Sequence, residues 1–216
     1  MTPKEIFSKV DHTLLSVTAT EKEFLLLAEE AVQAGAASVC VTPAAVSLIK
    51  EKYKDALRVT TVIGFPNGYN TTETKVFETK DAVKNGADEV DMVIAVGKVK
   101  DGDFAYVLNE IKQVRAAAEG KVLKVIVETC LLTEEEKVKL CEIVTEAGAD
   151  YIKTSTGFSK AGADISDVLL FKKHIGKNVK IKAAGGIRTL EDAQKFIEAG
   201  ADRIGASAVI KGYFKK

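Results

Sequence analysis

Three residues of this chain are of the types that could carry chemistry on a carbonyl compound: Asp91 in EVDMV, Lys153 in YIKTSTG and Lys182 in VKIKAAGG. If two lysines and a carboxylate share an enclosed space, burial and the neighbouring cation both disfavour an ammonium, so one lysine acquires a lowered pKa. Part of that lysine is then a neutral amine, which is the nucleophile of Schiff-base chemistry. The other reading of the same set is a buried ion-pair network that only holds the fold together.

A second feature is a pair of glycine-rich turns, AAGGIRT from Ala183 to Thr189 and IGASA from Ile204 to Ala208. Backbone N–H groups of Gly185, Gly186 and Ser207, aimed by a helix amino terminus, can bind a phosphate dianion without a dedicated cation. Gly157, in STGF, supplies a further donor. Singly, each glycine pair indicates no more than a tight turn. Together they point to a phosphorylated ligand.

The elements that must position these residues emerge from an internal repeat. QAGAASVCV from Gln33, KNGADEVDMV from Lys84, EAGADYIKT from Glu146 and EAGADRIGA from Glu198 each read as a helix end, a left-handed glycine and a short strand. Between copies lie further apolar strands, from Val59, Leu123 and Val179, each followed by an amphipathic helical stretch. Thr20 with Glu23, Thr133 with Glu136 and Thr189 with Asp192 have the spacing of capping boxes or near variants. With a first strand near Val10 to Leu14 and a last at Arg203 to Ala206, the series predicts eight strands. Strand and helix alternate without a linker, so the expectation is a single (β/α)8 TIM barrel over residues 1–216 with a short N-terminal helix. No GxGxxG follows the first strand, which counts against a dinucleotide fold.

Register then sorts the side chains. Val39, Val90, Ile152 and Ile204, four residues after the repeat glycines Gly35, Gly86, Gly148 and Gly200, should face the helices. The next residues, Cys40, Asp91, Lys153 and Gly205, should form one layer of the barrel interior near the carboxyl ends of the strands. On the seventh strand the same alternation turns Lys182 inward. Active sites of barrel enzymes lie at that face, whereas a purely structural cluster would sit as often at the other.

Bulk properties exclude other classes. Lysine plus arginine and aspartate plus glutamate are 31 each, so no field attracts nucleic acid or an anionic membrane. Cys40, Cys130 and Cys141 form no CxxC pair, and His12 and His174 have no partner at ligand spacing, so neither a disulfide framework nor a metal site is expected. No cofactor is called for. The opening MTPKEIFSKVDHTLL lacks a signal-peptide pattern, and a cytoplasmic location is expected.

Along nearly its whole length the chain resembles the deoxyribose-phosphate aldolases. The segments that carry the resemblance are DHTLL from Asp11, SVCVTP from Ser38, GFPNG from Gly64, EVDMVI from Glu89, VIVETCLL from Val125, YIKTSTGF from Tyr151 and IKAAGGIRT from Ile181. The resemblance implies that Lys153 is the Schiff-base lysine, Asp91 a general acid and base, and Lys182 the second lysine of the relay. It further implies reversible cleavage of 2-deoxy-D-ribose 5-phosphate to acetaldehyde and D-glyceraldehyde 3-phosphate. The implied partners are therefore a sugar phosphate and aldehydes, and barrels of this kind assemble as homodimers or homotetramers.

Other residues near the site have two readings each. Asp11 and Thr13 either bind a substrate hydroxyl or hold the relay, or else cap a turn. Cys40 shares the layer of Lys153 but packs as a small apolar residue. Lys160 either reaches the phosphate or is a solvated loop lysine, and Arg188 at a helix start is a partner for Glu191 or Asp192. The chain departs from many relatives in having Ala208 after Ser207, and in a tail, GYFKK, that continues past Tyr213. Competing readings are a phosphate-binding isomerase or another lysine aldolase on the same barrel, and a non-catalytic barrel that senses a phosphorylated metabolite.

Overall fold

A computed structural model describes residues 1–214; Lys215 and Lys216, the end of the GYFKK tail, lie outside the described residues. Helix stops fall where the repeat requires them. Gly35 ends its helix at φ 69° and ψ 42°, a left-handed conformation that glycine adopts without steric cost, and the chain turns directly into a strand. Thr20, Thr133 and Thr189 each form the expected capping box at a helix start.

Eight strands result: β1 (Val10–Leu14), β2 (Ser38–Val41), β3 (Val59–Ile63), β4 (Glu89–Val93), β5 (Val122–Ile126), β6 (Tyr151–Lys153), β7 (Lys180–Ala184) and β8 (Arg203–Ala206). Each pairs in parallel with the next, and β8 pairs with β1, closing the barrel. The helices are α1 (Pro3–Phe7), α2 (Glu21–Ala34), α3 (Val46–Tyr53), α4 (Thr72–Lys84), α5 (Val96–Lys100), α6 (Phe104–Ala117), α7 (Glu134–Glu146), α8 (Ile165–His174), α9 (Leu190–Ala199) and α10 (Val209–Phe214). This is the expected (β/α)8 architecture with its short N-terminal helix. It differs in one place, since β4 is followed by two helices rather than one. Asp103 breaks the run and starts α6 afresh by accepting from Tyr106 N at 3.1 Å.

The apolar core lies between barrel and helices. Val39, Val90, Ile152 and Ile204 are fully buried there, as the register requires. His12, also on the outer side of β1, meets Glu30 of α2 at 2.8 Å. The barrel interior is polar instead: Asp11, Thr60, Glu89, Asp91, Lys124 and Lys182 are all buried within it. None of the described helices is long and apolar enough to cross a membrane.

A second buried charge pair braces the mouth from outside. Lys75 of α4 and Glu110 of α6 have no exposed side-chain surface and meet at 2.6 Å. Lys75 Nζ also donates to Gly68 O, and Glu110 accepts from Ala95 N, so the loops after β3 and β4 hang from one ion pair. Removing one partner of a buried pair strands the other charge. Lys75→Met is therefore expected to lower unfolding free energy by about 3–5 kcal/mol in urea titrations, with Lys75→Met/Glu110→Leu recovering most of the loss. An unchanged midpoint in the single variant would show that the pair does not brace the loops.

Candidate active site

Inside the barrel, side chains converge on one carboxylate. Asp91 Oδ2 takes Lys153 Nζ at 2.8 Å and Lys182 Nζ at 2.6 Å, while its Oδ1 takes Lys124 Nζ at 2.8 Å. The register brings Asp91 and Lys153 into one layer with Cys40 and Gly205. Gly205 has a steric reason to be there, since a Cβ on it would lie 3.1 Å from Lys182 Cε and 2.9 Å from Ala184 Cβ. Lys182 reaches Asp91 past a position with no side chain.

Beneath this layer lies a second set of ions. Asp11 meets Lys182 at 2.5 Å and Arg203 at 2.6 Å, and accepts from Ser38 Oγ. Glu89 meets Lys124 at 2.6 Å and Arg203 at 3.1 Å. Asp11 thus caps no turn and lies within the ion network below Lys182. Lys124, Glu89 and Arg203 have no site role in the sequence analysis, yet a signal for them exists. Glu89 and Arg203 stand three residues after repeat glycines, two before Asp91 and Gly205, and so share their inward face. Lys124 interrupts an otherwise apolar strand in the same manner.

The charges do not balance when all are ionised. Lys124, Lys153, Lys182 and Arg203 are four cations against the three carboxylates of Asp11, Glu89 and Asp91. Lys153 is the cation least well compensated. Burial depresses its pKa; Asp91 opposes this, and the ammonium of Lys182 adds to it, leaving the group below its usual range. Lys182 suffers the same burial, but Asp11 and Asp91 together outweigh it and hold its pKa above the usual value. Lys124 is raised as well, for Asp91, Asp11 and Glu89 overcome burial and the repulsion of Lys182. Burial works against the ionised form of Asp91, but its three lysines prevail and hold it well below the usual carboxylate range.

Above the charges opens a cavity of about 600 Å³ at the carboxyl ends of the strands. Of the three residues first singled out, Lys153 lines it, and Asp91 and Lys182 lie buried beneath. Gly157, Gly185, Gly186, Gly205, Ser207 and Thr13 form the walls, so the loops after β6, β7 and β8 come together. The approach is close: a Cβ on Gly162 would fall 2.3 Å from the carbonyl oxygen of Gly185, and Ala163 N donates to that oxygen at 3.1 Å. Arg188 also lines the cavity, where the sequence suggested only a helix-start ion pair; its backbone N–H, not its side chain, meets Asp192. Lys160 is exposed outside the cavity lining, and Cys40 is buried with its thiol pKa pushed up by burial. Phe158 on the rim packs edge-on against Phe65 of the loop after β3 at 5.3 Å. Tyr213 packs against Phe7 of α1 and does not line the cavity.

An amine of depressed basicity at the floor of a barrel, under glycine-rich loops suited to an anion, defines the class of lysine-bearing (β/α)8 aldolases. A model of the DeoC/LacD family aldolases matches residues 6–213. The chain is 53% identical over 208 residues to a deoxyribose-phosphate aldolase of Clostridioides difficile (strain 630), covering 96% of this chain and 95% of that protein. Among solved structures, a putative deoxyribose-phosphate aldolase from Coccidioides immitis superposes with a TM-score of 0.94 at 40% identity, over 99% of this chain and 87% of that one. A tetrameric deoxyribose phosphate aldolase from Aeropyrum pernix gives 0.91 at 32% identity, over 99% and 92%. The chain belongs to the DeoC/LacD family of aldolases.

The charge excess has a consequence for stability. Lys153 has a folded pKa below the ordinary 10.5, so between those two values the unfolded chain binds more protons and stability rises with pH. Lys153→Met removes the uncompensated charge and leaves three cations for three carboxylates. The variant is expected to unfold at an equal or higher urea concentration than the wild type at neutral pH, its advantage fading as pH climbs toward 10.5. A midpoint well below wild type at neutral pH would mean that Lys153 is a structural ion.

Proposed function

We infer that this protein is a 2-deoxy-D-ribose-5-phosphate aldolase that works through a Schiff base on Lys153. The observation that carries the reading is the position of Lys153: it is the one lysine of the charged set that lines the cavity, and the one whose ammonium the surroundings disfavour. The names of the relatives supply the substrate, and the loops carrying Gly157, Gly185, Gly186, Gly205 and Ser207 suit its phosphate. Arg188 on the same wall adds a cation to those backbone donors.

In the cleavage direction, neutral Lys153 adds to the C1 aldehyde of the open-chain sugar, and loss of water from the carbinolamine leaves an iminium. The C3 hydroxyl gives up its proton, the C2–C3 bond breaks, and D-glyceraldehyde 3-phosphate departs while the bonding electrons pass into an enamine. Protonation at C2 regenerates the iminium of acetaldehyde, and water releases the product and restores the amine. Asp91 stays ionised next to Lys153 and serves as proton acceptor and donor, through water where the reacting carbon lies above it. Lys182 stays charged between Asp11 and Asp91, which maintains the pressure on Lys153 to be neutral and gives the relay an acidic partner. The loops after β6, β7 and β8 hold the phosphate and thereby set the distance between the acceptor aldehyde and the enamine.

The same reading carries a cytoplasmic role in the breakdown of deoxyribose phosphates and assembly as a homo-oligomer, the latter supported by the tetramer of the Aeropyrum pernix relative. We read Thr13, which lines the cavity, as a contact for a substrate hydroxyl, and Asp11 as acting from below by fixing Lys182.

Incubation with acetaldehyde and borohydride is expected to add one ethyl group to Lys153, identified by peptide mass spectrometry and lost in Lys153→Ala. A folded protein that takes up no label would rule out the imine and favour the isomerase or sensor readings. Asp91→Asn should lower turnover by about a hundredfold or more while trapping persists, because proton transfer fails but a neutral amine remains. Wild-type rates in that variant would remove Asp91 from the mechanism.

A further inference from the structure

Glu128 lies in the loop after β5 and took no part in the sequence reading. Its backbone is left-handed at φ 58° and ψ 65°, a conformation that a side chain with a Cβ seldom takes without something to hold it there. Two backbone bonds hold it there. Val127 N donates to Lys153 O at 3.1 Å and Thr129 N to Thr154 O at 2.9 Å, so the residues on either side of Glu128 are stitched to the end of β6. The turn of backbone between those two bonds drives the Glu128 side chain toward the segment that follows Lys153.

There, among the described residues, the carboxylate hydrogen-bonds to Thr156 alone. It accepts from Thr156 Oγ1 at 2.5 Å and from Thr156 N at 3.3 Å, with only 4% of Glu128 exposed. Thr156 Oγ1 in turn accepts from Phe158 N at 3.1 Å, closing a tight turn around Gly157. Thr156, Gly157 and Phe158 all line the cavity, whereas Glu128 does not. A buried carboxylate is expensive unless its hydrogen bonds are made, and here burial pushes its pKa up while the Thr156 donors and, to a smaller extent, the charge of Lys153 pull it back. A group kept at that cost, behind a loop and out of reach of ligand, acts on the loop.

We propose that Glu128 is a positioning residue for the anion-binding wall: it fixes Thr156, and through it presents the Gly157 N–H toward the phosphate of the substrate. The proposal rests on the aldolase reading above. The effect falls mainly on the phosphate end: Lys153 is held by its ion pair with Asp91 at 2.8 Å, and Glu128 adds to it only the distant attraction of its charge.

The test compares 2-deoxy-D-ribose 5-phosphate with unphosphorylated 2-deoxy-D-ribose in Glu128→Gly, which keeps a left-handed backbone accessible and removes the whole side chain, carboxylate included. A urea midpoint first establishes that the variant is folded. KM for the phosphorylated sugar is expected to rise about tenfold with kcat little altered, the pattern of binding lost equally from ground state and transition state, while kcat/KM for the unphosphorylated sugar changes less than about twofold. Trapping of acetaldehyde on Lys153 is expected to stay at the wild-type level. Thr156→Val should raise KM in the same way, and combining it with Glu128→Gly should add little, as expected for two residues acting as one unit.

Equal losses on the two sugars, unchanged KM in a folded Glu128→Gly, or full additivity with Thr156→Val would each overturn the proposal. If wild-type protein cleaves neither sugar, the aldolase reading has failed before any variant is compared, and the proposal falls with it.

Discussion

The Asp91 carboxylate, shared among three lysines inside a closed barrel, is the interaction on which the remainder of the site depends. Three ammonium groups enclosed by eight strands repel one another, and a layer of aliphatic side chains would pack the same space without that repulsion. A purely structural account therefore explains the arrangement poorly. The network has a built-in asymmetry instead. Lys124 and Lys182 each lean on two or more carboxylates, whereas Lys153 has only a shared oxygen of Asp91. The deficit of negative charge is thereby concentrated on the one amine that faces the cavity.

Division of labour follows the axis of the barrel. Ionised side chains occupy its interior and adjust proton affinities; above them the glycine-rich loops present backbone amides, with Arg188 as a cation on the same wall. The two regions meet at β6, where Lys153 is the last residue of the strand and Gly157 lies four residues on in the following loop. Distance between Lys153 and the glycine-rich loops is consequently set by a very short stretch of chain, braced from the β5 side by Glu128 and from the β7 side by Gly185.

Much of this was readable from periodicity. A repeat glycine followed at a constant offset by inward residues identified the layer of Cys40, Asp91, Lys153 and Gly205, because a parallel barrel ties register to position in the repeat. The same offset shortened by two residues would have exposed Glu89 and Arg203, and the lower ion set was missed by stopping at one layer. Lys124 lies on a strand between repeat copies and needed the alternation followed along β5. The role of Glu128 is of another kind. Its partner Thr156 is 28 residues away on a neighbouring loop, and its backbone conformation is imposed by bonds to β6 rather than by its own residue type. Arg188 is hard to read for a related reason: local spacing offers acidic partners on its helix, and the cavity that it lines is formed by three loops together.

The near-contact of Gly162 with Gly185 bears on how such a barrel can be altered. Loops at the carboxyl face of a (β/α)8 barrel are ordinarily interchangeable modules, each rooted in its own strand, and this independence is how the fold hosts many chemistries. Here the loop after β6 and the loop after β7 are fitted backbone to backbone, with no room for even a methyl group between them. They constitute one steric unit spread over two βα segments. A graft that changes the ligand of this barrel has to transplant both loops at once, and a library that varies either one alone will sample almost entirely molecules in which the two no longer close.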